Sequence, residues 1–471
     1  MKFRISSLFL WPAIALLSGC AVQHYRPAPI VPTETASQLE SRSLRDPGLR
    51  DYMEKALGHP VSWPLRQWDL PSLTLAALYF SPQMEIARDR LAAAQGGIVT
   101  AGEHPNPSLS LTPGIPSPWL FDLPLVFPIE THGKRALRIE QAQDLSSAAE
   151  MAVAGTEWSV ASGVRTALLA YRMARARLVL SQATERTEDR HVTLLHQRLL
   201  AGEEARPPLE AAELALSNLQ FAVSVNQGQV ATARAALAGA IGVPVDALDG
   251  LEMTWPNFGR LPTLASLSPQ RIERDAVLNR LDVRAALDQY AAADAALRLQ
   301  LARQYPNFNI GPGYAFEEGN NYFTVPFSIV LPIRNRNQGP IAQAEALRKE
   351  AAANFLAVQT RAIAQSQQAL AAYRSALADL HEANRPILNQ GRQVQMTRRA
   401  VAAGESNHLQ LNTVMLAGAV YSQQRLQALG QAQAALGALE DAVEQPLDPS
   451  AWILPVPSPK SVAPGRKESE Q

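Results

Sequence analysis

The chain holds a single cysteine in 471 residues, Cys20, which excludes an intramolecular disulfide. Lys+Arg and Asp+Glu balance at 43 each, and there is no long basic run, so no global field recruits nucleic acid. Beyond the N-terminus no run reaches the ~18 apolar residues of a membrane-spanning helix, so any span has to be a closed barrel. Catalytic patterns are missing too. His381-Glu382-Ala383-Asn384-Arg385 begins like a zinc-protease helix but carries Arg where the second His is needed. Gly311-Pro312-Gly313 lacks the glycine that would complete a dinucleotide loop, and the eight His are dispersed. An enzyme is not expected, and neither is a bound cofactor or metal. Aromatics are scarce at 6%, while Ala, Leu and Gln dominate long stretches. That composition suits long helices packed closely through small side chains.

What is present begins at the N-terminus. Lys2 and Arg4 precede an apolar segment, Leu8 to Leu17, too short for a permanent span but suited to a secretory signal. It ends in Leu17-Ser18-Gly19-Cys20, which resembles the bacterial lipoprotein signal, in which the cysteine is acylated and becomes the new N-terminus. A palmitate-type anchor on Cys20 follows.

Two stretches alternate with period 2. Phe308, Ile310, Tyr314 and Phe316 lie on one face of an extended run, with Asn307, Asn309, Gly311, Gly313 and Ala315 on the other. After Glu317 to Asn321 the alternation resumes with Phe323, Val325, Phe327, Ile329 and Leu331. Each run is about ten residues, the length of a tilted strand crossing a bilayer. Pro312 and Pro326 cannot donate to a ladder and predict local irregularity. A weaker pair, Ser108 to Thr112 and Leu123 to Ile129, lies earlier. Helical patterns fill most of the rest: about Leu73 to Ile98, Lys134 to Leu200, Pro208 to Ala240, Pro269 to Gln304, Ile341 to Ala403 and His408 to Val443. Val160, Val164, Ala167, Tyr171, Ala174 and Leu178 form one seam; Leu356, Ile363, Leu370 and Leu377 form another at heptad spacing.

The two series are one plan used twice. Pro105-Asn106, Ala170-Tyr171-Arg172 and Ala201-Gly202-Glu203 recur as Pro306-Asn307, Ala372-Tyr373-Arg374 and Ala403-Gly404-Glu405. A period of roughly 200 residues is too long for a solenoid and implies a duplicated half. Two strands cannot close a sheet, and four are too few for a barrel with a lumen. Both problems vanish if several copies assemble around an axis.

With its lipoprotein-type start, this duplication and Ser81-Pro82-Gln83-Met84-Glu85-Ile86, the chain resembles the TolC-like outer-membrane efflux proteins over about Leu73 to Val443. The second half has Asn279-Arg280-Leu281-Asp282, where the family commonly has Pro at the position of Leu281. The resemblance implies a mainly α fold with membrane β: long coiled-coil-like hairpins in an α-barrel, plus four transmembrane strands per chain in a trimeric 12-stranded β-barrel. It also implies an outer-membrane duct extending into the periplasm of a Gram-negative bacterium, docked to a periplasmic adaptor and an inner-membrane transporter. Gly202, Glu203, Gly404 and Glu405 would then lie at the tips that meet the adaptor. The acidic aperture positions of well-studied members fall on Gln410 and Thr413 here, which puts a carboxylate gate in doubt; Glu204 is a further aperture candidate.

The expected domains are a signal peptide 1–19, an arm 20–70, a first repeat 71–240, an equatorial connector 241–269, a second repeat 270–445 and a disordered tail 446–471. The expected function is a passive exit duct for drugs or metal cations. The alternative is a periplasmic coiled-coil adaptor or scaffold lipoprotein, which the duplicated strand pairs disfavour.

Overall fold

The computed structural model describes residues 24–114, 120–263 and 267–447. The signal segment, Cys20 and residues 448–471 of the tail lie outside the described residues. The chain divides into two units, 1–42 and 43–471. In the first, α1 (Pro32–Glu40) is exposed throughout, and its Thr35 and Ser37 hydroxyls donate back to carbonyls one turn earlier.

The second unit opens on α2 (Pro47–Leu57), where Asp46 accepts from the Gly48 N–H and Pro47 starts the turn. Its Leu49 and Met53 are fully buried, so this part of the expected arm is core. After it, β1 (Gln67–Trp68) precedes α3 (Leu70–Phe80), which Asp69 and Ser72 cap reciprocally. Then come α4 (Pro82–Gly102), the strands β2 (Ser108–Leu109), β3 (Thr112–Gly114) and β4 (Leu120–Ile129), α5 (Lys134–Leu200) and α6 (Arg206–Ile241). The connector holds a 3₁₀ turn, Val245–Leu248, and β5 (Glu252–Met253). The second half repeats the order: α7 (Pro269–Asn279), α8 (Leu281–Ala302), β6 (Phe308–Ile310), β7 (Gly313–Glu317), β8 (Asn320–Thr324), β9 (Phe327–Ile329), α9 (Gln338–Ala402) and α10 (His408–Val443).

At 67 and 65 residues, α5 and α9 each run roughly 100 Å. Too long to close on themselves, they pack along their return helices α6 and α10. Where α3, α5 and α6 cross lies the main core, with Leu73, Ala76, Val164, Leu168, Leu237 and Ile241 around the fully buried Trp68. A parallel pairing of β1 with β5, Trp68 opposite Met253, ties the arm to the connector. Two residues per strand give no period to read, so the sequence did not announce it.

Two expectations need correction. Each half has two helices ahead of its strands, not one. The first break falls at Ser81, whose hydroxyl accepts from the Met84 N–H while Pro82 restarts the helix. The heptad seam of α9 also holds only in part: Leu370 is buried, but Leu356 is 58% exposed, and Ala362, Ala369 and Tyr373 are buried instead.

Candidate functional site

The strand segments form one antiparallel sheet, and its order explains the breaks. β2 and β3 pair with β4; β4 pairs with β7 and β6; β8 and β9 pair with β7 and β6 respectively. Of the predicted strands only β4 is continuous, three residues longer than the predicted Leu123 to Ile129. The others are interrupted at 110–111, at Gly311-Pro312 and at Val325-Pro326. The register survives the gaps. Ile310 lies opposite Phe127 and Gly313 opposite Pro124, so both strands advance by three residues across the break. Ile310 opposite Phe327 and Gly313 opposite Thr324 do the same on the other side. No residue is inserted, so the prolines remove ladder bonds without adding a bulge. The gaps lie side by side, level with 123–126 of β4. There the backbones come close: a Cβ on Gly311 would sit 1.8 Å from the Leu125 carbonyl oxygen, and the Leu125 N–H donates to the Pro312 carbonyl at 2.9 Å.

Because the register is unbroken, each face can be read across all the strands. One face carries Leu109, Leu111, Phe121, Leu123, Leu125, Phe127, Ile129, Phe308, Ile310, Tyr314, Phe316, Phe323, Val325, Phe327 and Ile329. Tyr314 stands edge-on to Phe121 and Phe323, with ring centroids 6.3 and 6.0 Å apart. Phe323 is 90% exposed and Phe327 60% in the single chain. The other face carries Ser108, Thr112, Asp122, Asn309, Ala315, Tyr322, Thr324 and Ser328, and on β4 also Leu120, Pro124, Val126 and Pro128; the Asn309 amide donates to the Ser328 hydroxyl at 3.1 Å.

At the far ends of the long helices the two halves use the same stop. Gly202 and Gly404 adopt φ of +73° and +77°, the left-handed region that favours glycine. The Glu203 N–H reaches the Arg198 carbonyl and the Gly202 N–H the Leu199 carbonyl, at 2.8 and 3.0 Å. Glu405 to Ala400 and Gly404 to Val401 repeat this at 2.8 and 3.1 Å. Each is a complete Schellman turn. The tips lie together: Leu409 packs against the cluster of Leu195, Leu209 and Ala212. Gly202, Glu203, Gly404, Glu405, Gln410 and Thr413 are exposed there, and Glu204 is half-buried. Arg198 lies 3.7 and 3.8 Å from Glu203 and Glu204, while the Thr413 hydroxyl donates to the Leu409 carbonyl. Asn407 caps α10 by accepting from the Gln410 N–H at 2.8 Å. The aperture candidates therefore share one end of the molecule, but Gln410 and Thr413 are neutral.

Sequence reasoning missed the charged joint between the halves. Arg165 on α5 is buried and ion-paired with Glu440 of α10, and it also donates to the Gly437 carbonyl at 2.8 Å. Asp441 accepts from the Trp158 indole and the Ser162 hydroxyl at 3.0 and 2.7 Å. Nearby, Arg280 forms a two-pronged pair with Asp282 and donates to Gln365. The Glu444 carboxylate accepts from the Leu281 N–H at 2.6 Å. That contact explains the missing proline: Pro82 has no N–H to satisfy, whereas Leu281 has one and Glu444 takes it. Burial pushes the Glu440 and Glu444 carboxyls up from their ordinary values, against the pull of the neighbouring arginines. The partners are too far apart in sequence to be paired by eye. The one available signal was Arg165 itself, set between Val164 and Leu168 on the apolar seam.

His381 and Arg385 lie within α9, where Arg385 pairs with Glu382 at 3.0 Å. Among the described residues no three His, Cys, Asp or Glu converge as metal ligands. No helix among them is long and apolar enough to cross a membrane.

The geometry defines a class: a small two-faced β-sheet carried on paired helical hairpins about 100 Å long. Residues 73–243 match the family profile of the outer membrane efflux proteins. The cobalt-zinc-cadmium resistance protein CzcC of Cupriavidus metallidurans is 24% identical over 293 residues, covering 60% of this chain and 69% of that protein. The crystal structure of CusC superposes with a TM-score of 0.64 at 19% identity, covering 82% of this chain and 95% of CusC. VceC of Vibrio cholerae gives 0.63 at 18%, covering 80% and 97%. The outer-membrane channel OprN gives 0.64 at 18%, covering 91% and 99%. The chain thus has the fold of these outer-membrane channels and carries the efflux-protein sequence pattern over residues 73–243.

Proposed function

We propose that the protein is the outer-membrane channel of a tripartite efflux system, a passive duct through which small solutes leave the periplasm. The observation that carries this is the two-faced sheet, apolar on one side across every strand and mainly small or polar on the other outside β4. That is the pattern of a barrel wall between lipid and a wet lumen.

The internal repeat supports a ring. Within the chain, α5 of the first half packs onto α8 and α10 of the second, and β4 pairs with β6 and β7. By the same relation α9 requires an α4 and an α6, and β8 and β9 require a β2 and β3. Among the described residues α9 has no comparable packing of that kind. A following copy supplies it head to tail, and three copies close the barrel with twelve strands. The partners are then a periplasmic adaptor at the tips, with Gly202, Glu203, Gly404 and Glu405 as its contacts, and an inner-membrane transporter. Cys20 carries the lipid anchor after removal of 1–19. Glu203, Glu204 and Glu405 set cation preference at the mouth, where Gln410 and Thr413 offer no charge. Metal cations are the first cargo to test, given the relative named for cobalt, zinc and cadmium resistance. The adaptor alternative is set aside, because the solved structures it resembles are channels.

Purified protein should migrate as a detergent-stable trimer and raise the conductance of planar bilayers. Glu203→Gln with Glu405→Gln should lower the cation-to-anion permeability ratio by roughly twofold or more at low salt, where surface charge is least screened. A monomer that forms no pore would refute the assignment.

A further inference from the structure

Among the described residues two carboxylates are buried beyond nine-tenths, Glu440 at 3% exposed and Glu188 at 6%. Arg165 pairs with Glu440, and buried Arg280 likewise has Asp282. The Glu188 carboxyl on α5 makes no hydrogen bond or ion pair among the described residues. A buried carboxylate without a counter-charge is costly. Three residues on, the His191 Nδ1 is buried with no hydrogen-bond partner. Residues three apart on a helix have Cβ atoms about 5–6 Å apart, so the two side chains share one face of α5.

The helix opposite brings a third donor. Met173 on α5 packs against Gly430 on α10, where a Cβ would lie 2.7 Å from the Met173 methyl. The two helices run antiparallel, as the contact of Arg165 with Gly437 also requires. Eighteen residues make about five full turns of helix. Counted on from Met173 they reach His191, and counted back from Gly430 they reach Asn412, so both positions return to the facing sides at one level. Asn412 is 8% exposed, and its amide makes no hydrogen bond among the described residues. No arginine fills the gap: Arg198 lies roughly 10 Å further towards the tip, beside Glu203 and Glu204.

We propose that Glu188, His191 and Asn412 bind a divalent cation of borderline softness, such as Zn²⁺, between α5 and α10. A Glu and a His at this spacing on one helix can hold a single metal ion. The third donor is an amide, which is why no trio of His, Cys, Asp or Glu marks the place. Imidazole with carboxylate suits zinc and its first-row neighbours; the set lacks the thiolates that select copper(I) and the six or more oxygens that calcium takes. Three protein donors leave a position for water, so the ion exchanges, unlike zinc in a closed four-ligand site. Once bound, it ties α5 to α10 next to Gln410 and Thr413.

The test uses full-length protein in detergent, without a histidine tag, titrated with ZnCl₂ by calorimetry and with CoCl₂ in the visible spectrum. Wild type should take up one Zn²⁺ per chain, and Co²⁺ should show the bands of a nitrogen- and oxygen-ligated ion. Glu188→Gln and His191→Gln should each weaken binding by at least about tenfold and remove those bands. Asn412→Asp should tighten binding by adding a second carboxylate. His196→Gln and His408→Gln, exposed nearby, should change nothing. Uptake well below one ion per chain, an equal response to MgCl₂, or binding that survives His191→Gln overturns the proposal. So does loss of binding in His196→Gln or His408→Gln, which would put the ion on the surface. Should His191→Gln fail to fold, Asn412→Asp decides, and binding no tighter than wild type overturns it. The joint lies within one chain, so the outcome is independent of whether the sheet forms a pore, which planar-bilayer conductance reports separately.

Discussion

Leu281 shows how a residue can stand out in the sequence and be explained only by the fold. In the sequence it is a departure from a family proline; in the structure it is a helix start whose free N–H has been given a carboxylate. Glu444→Ala removes that acceptor and should cost about 1–3 kcal/mol through an orphaned donor. Leu281→Pro removes the donor, and Arg280, at φ −60° and ψ 128°, already has the backbone that precedes proline. The two changes together should therefore cost less than the sum of the two alone, read as thermal midpoints across a double-mutant cycle. The pH dependence has a definite sign. Burial raises the Glu444 carboxyl above 4.5, so the folded chain binds its proton more tightly than the unfolded one. Its contribution is most favourable below that value and is lost as pH rises towards the raised one. Wild type should lose stability relative to Glu444→Ala over that interval, and a constant difference would contradict the placement of Glu444.

At the scale of elements, periodicity did most of the work where periods are long. The bounds Lys134 to Leu200 and His408 to Val443 match the observed helices. So do the glycine stops after α5 and α9, because a left-handed residue at the end of a long apolar pattern has few alternatives. Short elements failed for the converse reason. β1 and β5 pair across the whole first half, which no local pattern encodes, and although Pro312 and Pro326 marked two of the strand breaks, nothing local showed what faces them. Gly311 is one such position. Its alternation marked it only as part of the small face, while the structure shows the Leu125 carbonyl where a side chain would go. Gly311→Ala should destabilise the sheet by about 3 kcal/mol or more. It should abolish the heat-resistant trimer on gels, while Gly163→Ala, with open space around it, should not.

For the whole molecule, the duplication was the most informative feature: it doubled the strand pair, and four strands per chain still called for several copies around an axis. What it could not convey is that the two kinds of joint differ. The joint inside the chain holds Arg165 and Glu440; the positions corresponding to them in the other halves are Gln367 and Ala238. In the proposed ring, the joint between copies lacks that pair and is expected to rely on apolar contact. Leu356 and Phe221, 58% and 72% exposed in the single chain, are available for it. Leu356 neighbours Ala357, and a Cβ on its counterpart Gly155 would lie 4.0 Å from Leu281 across the internal joint. Leu356→Asp should lower the trimer's dissociation temperature by several degrees without altering the helix content of the dissociated chain. A trimer of unchanged stability would place Leu356 elsewhere.

The aligned gaps beside 123–126 have one more consequence. A strand interrupted inside hydrocarbon exposes N–H groups that nothing in the surroundings can accept, at several kcal/mol apiece. Here Pro312 and Pro326 occupy two of the gaps and Pro124 faces a third, so three of those donors do not exist. The carbonyls of Pro312 and Pro124 are taken by Leu125 and Ser110. In the proposed barrel, these gaps divide the sheet into two stacked hoops, with β4 as the splint that carries one register through both.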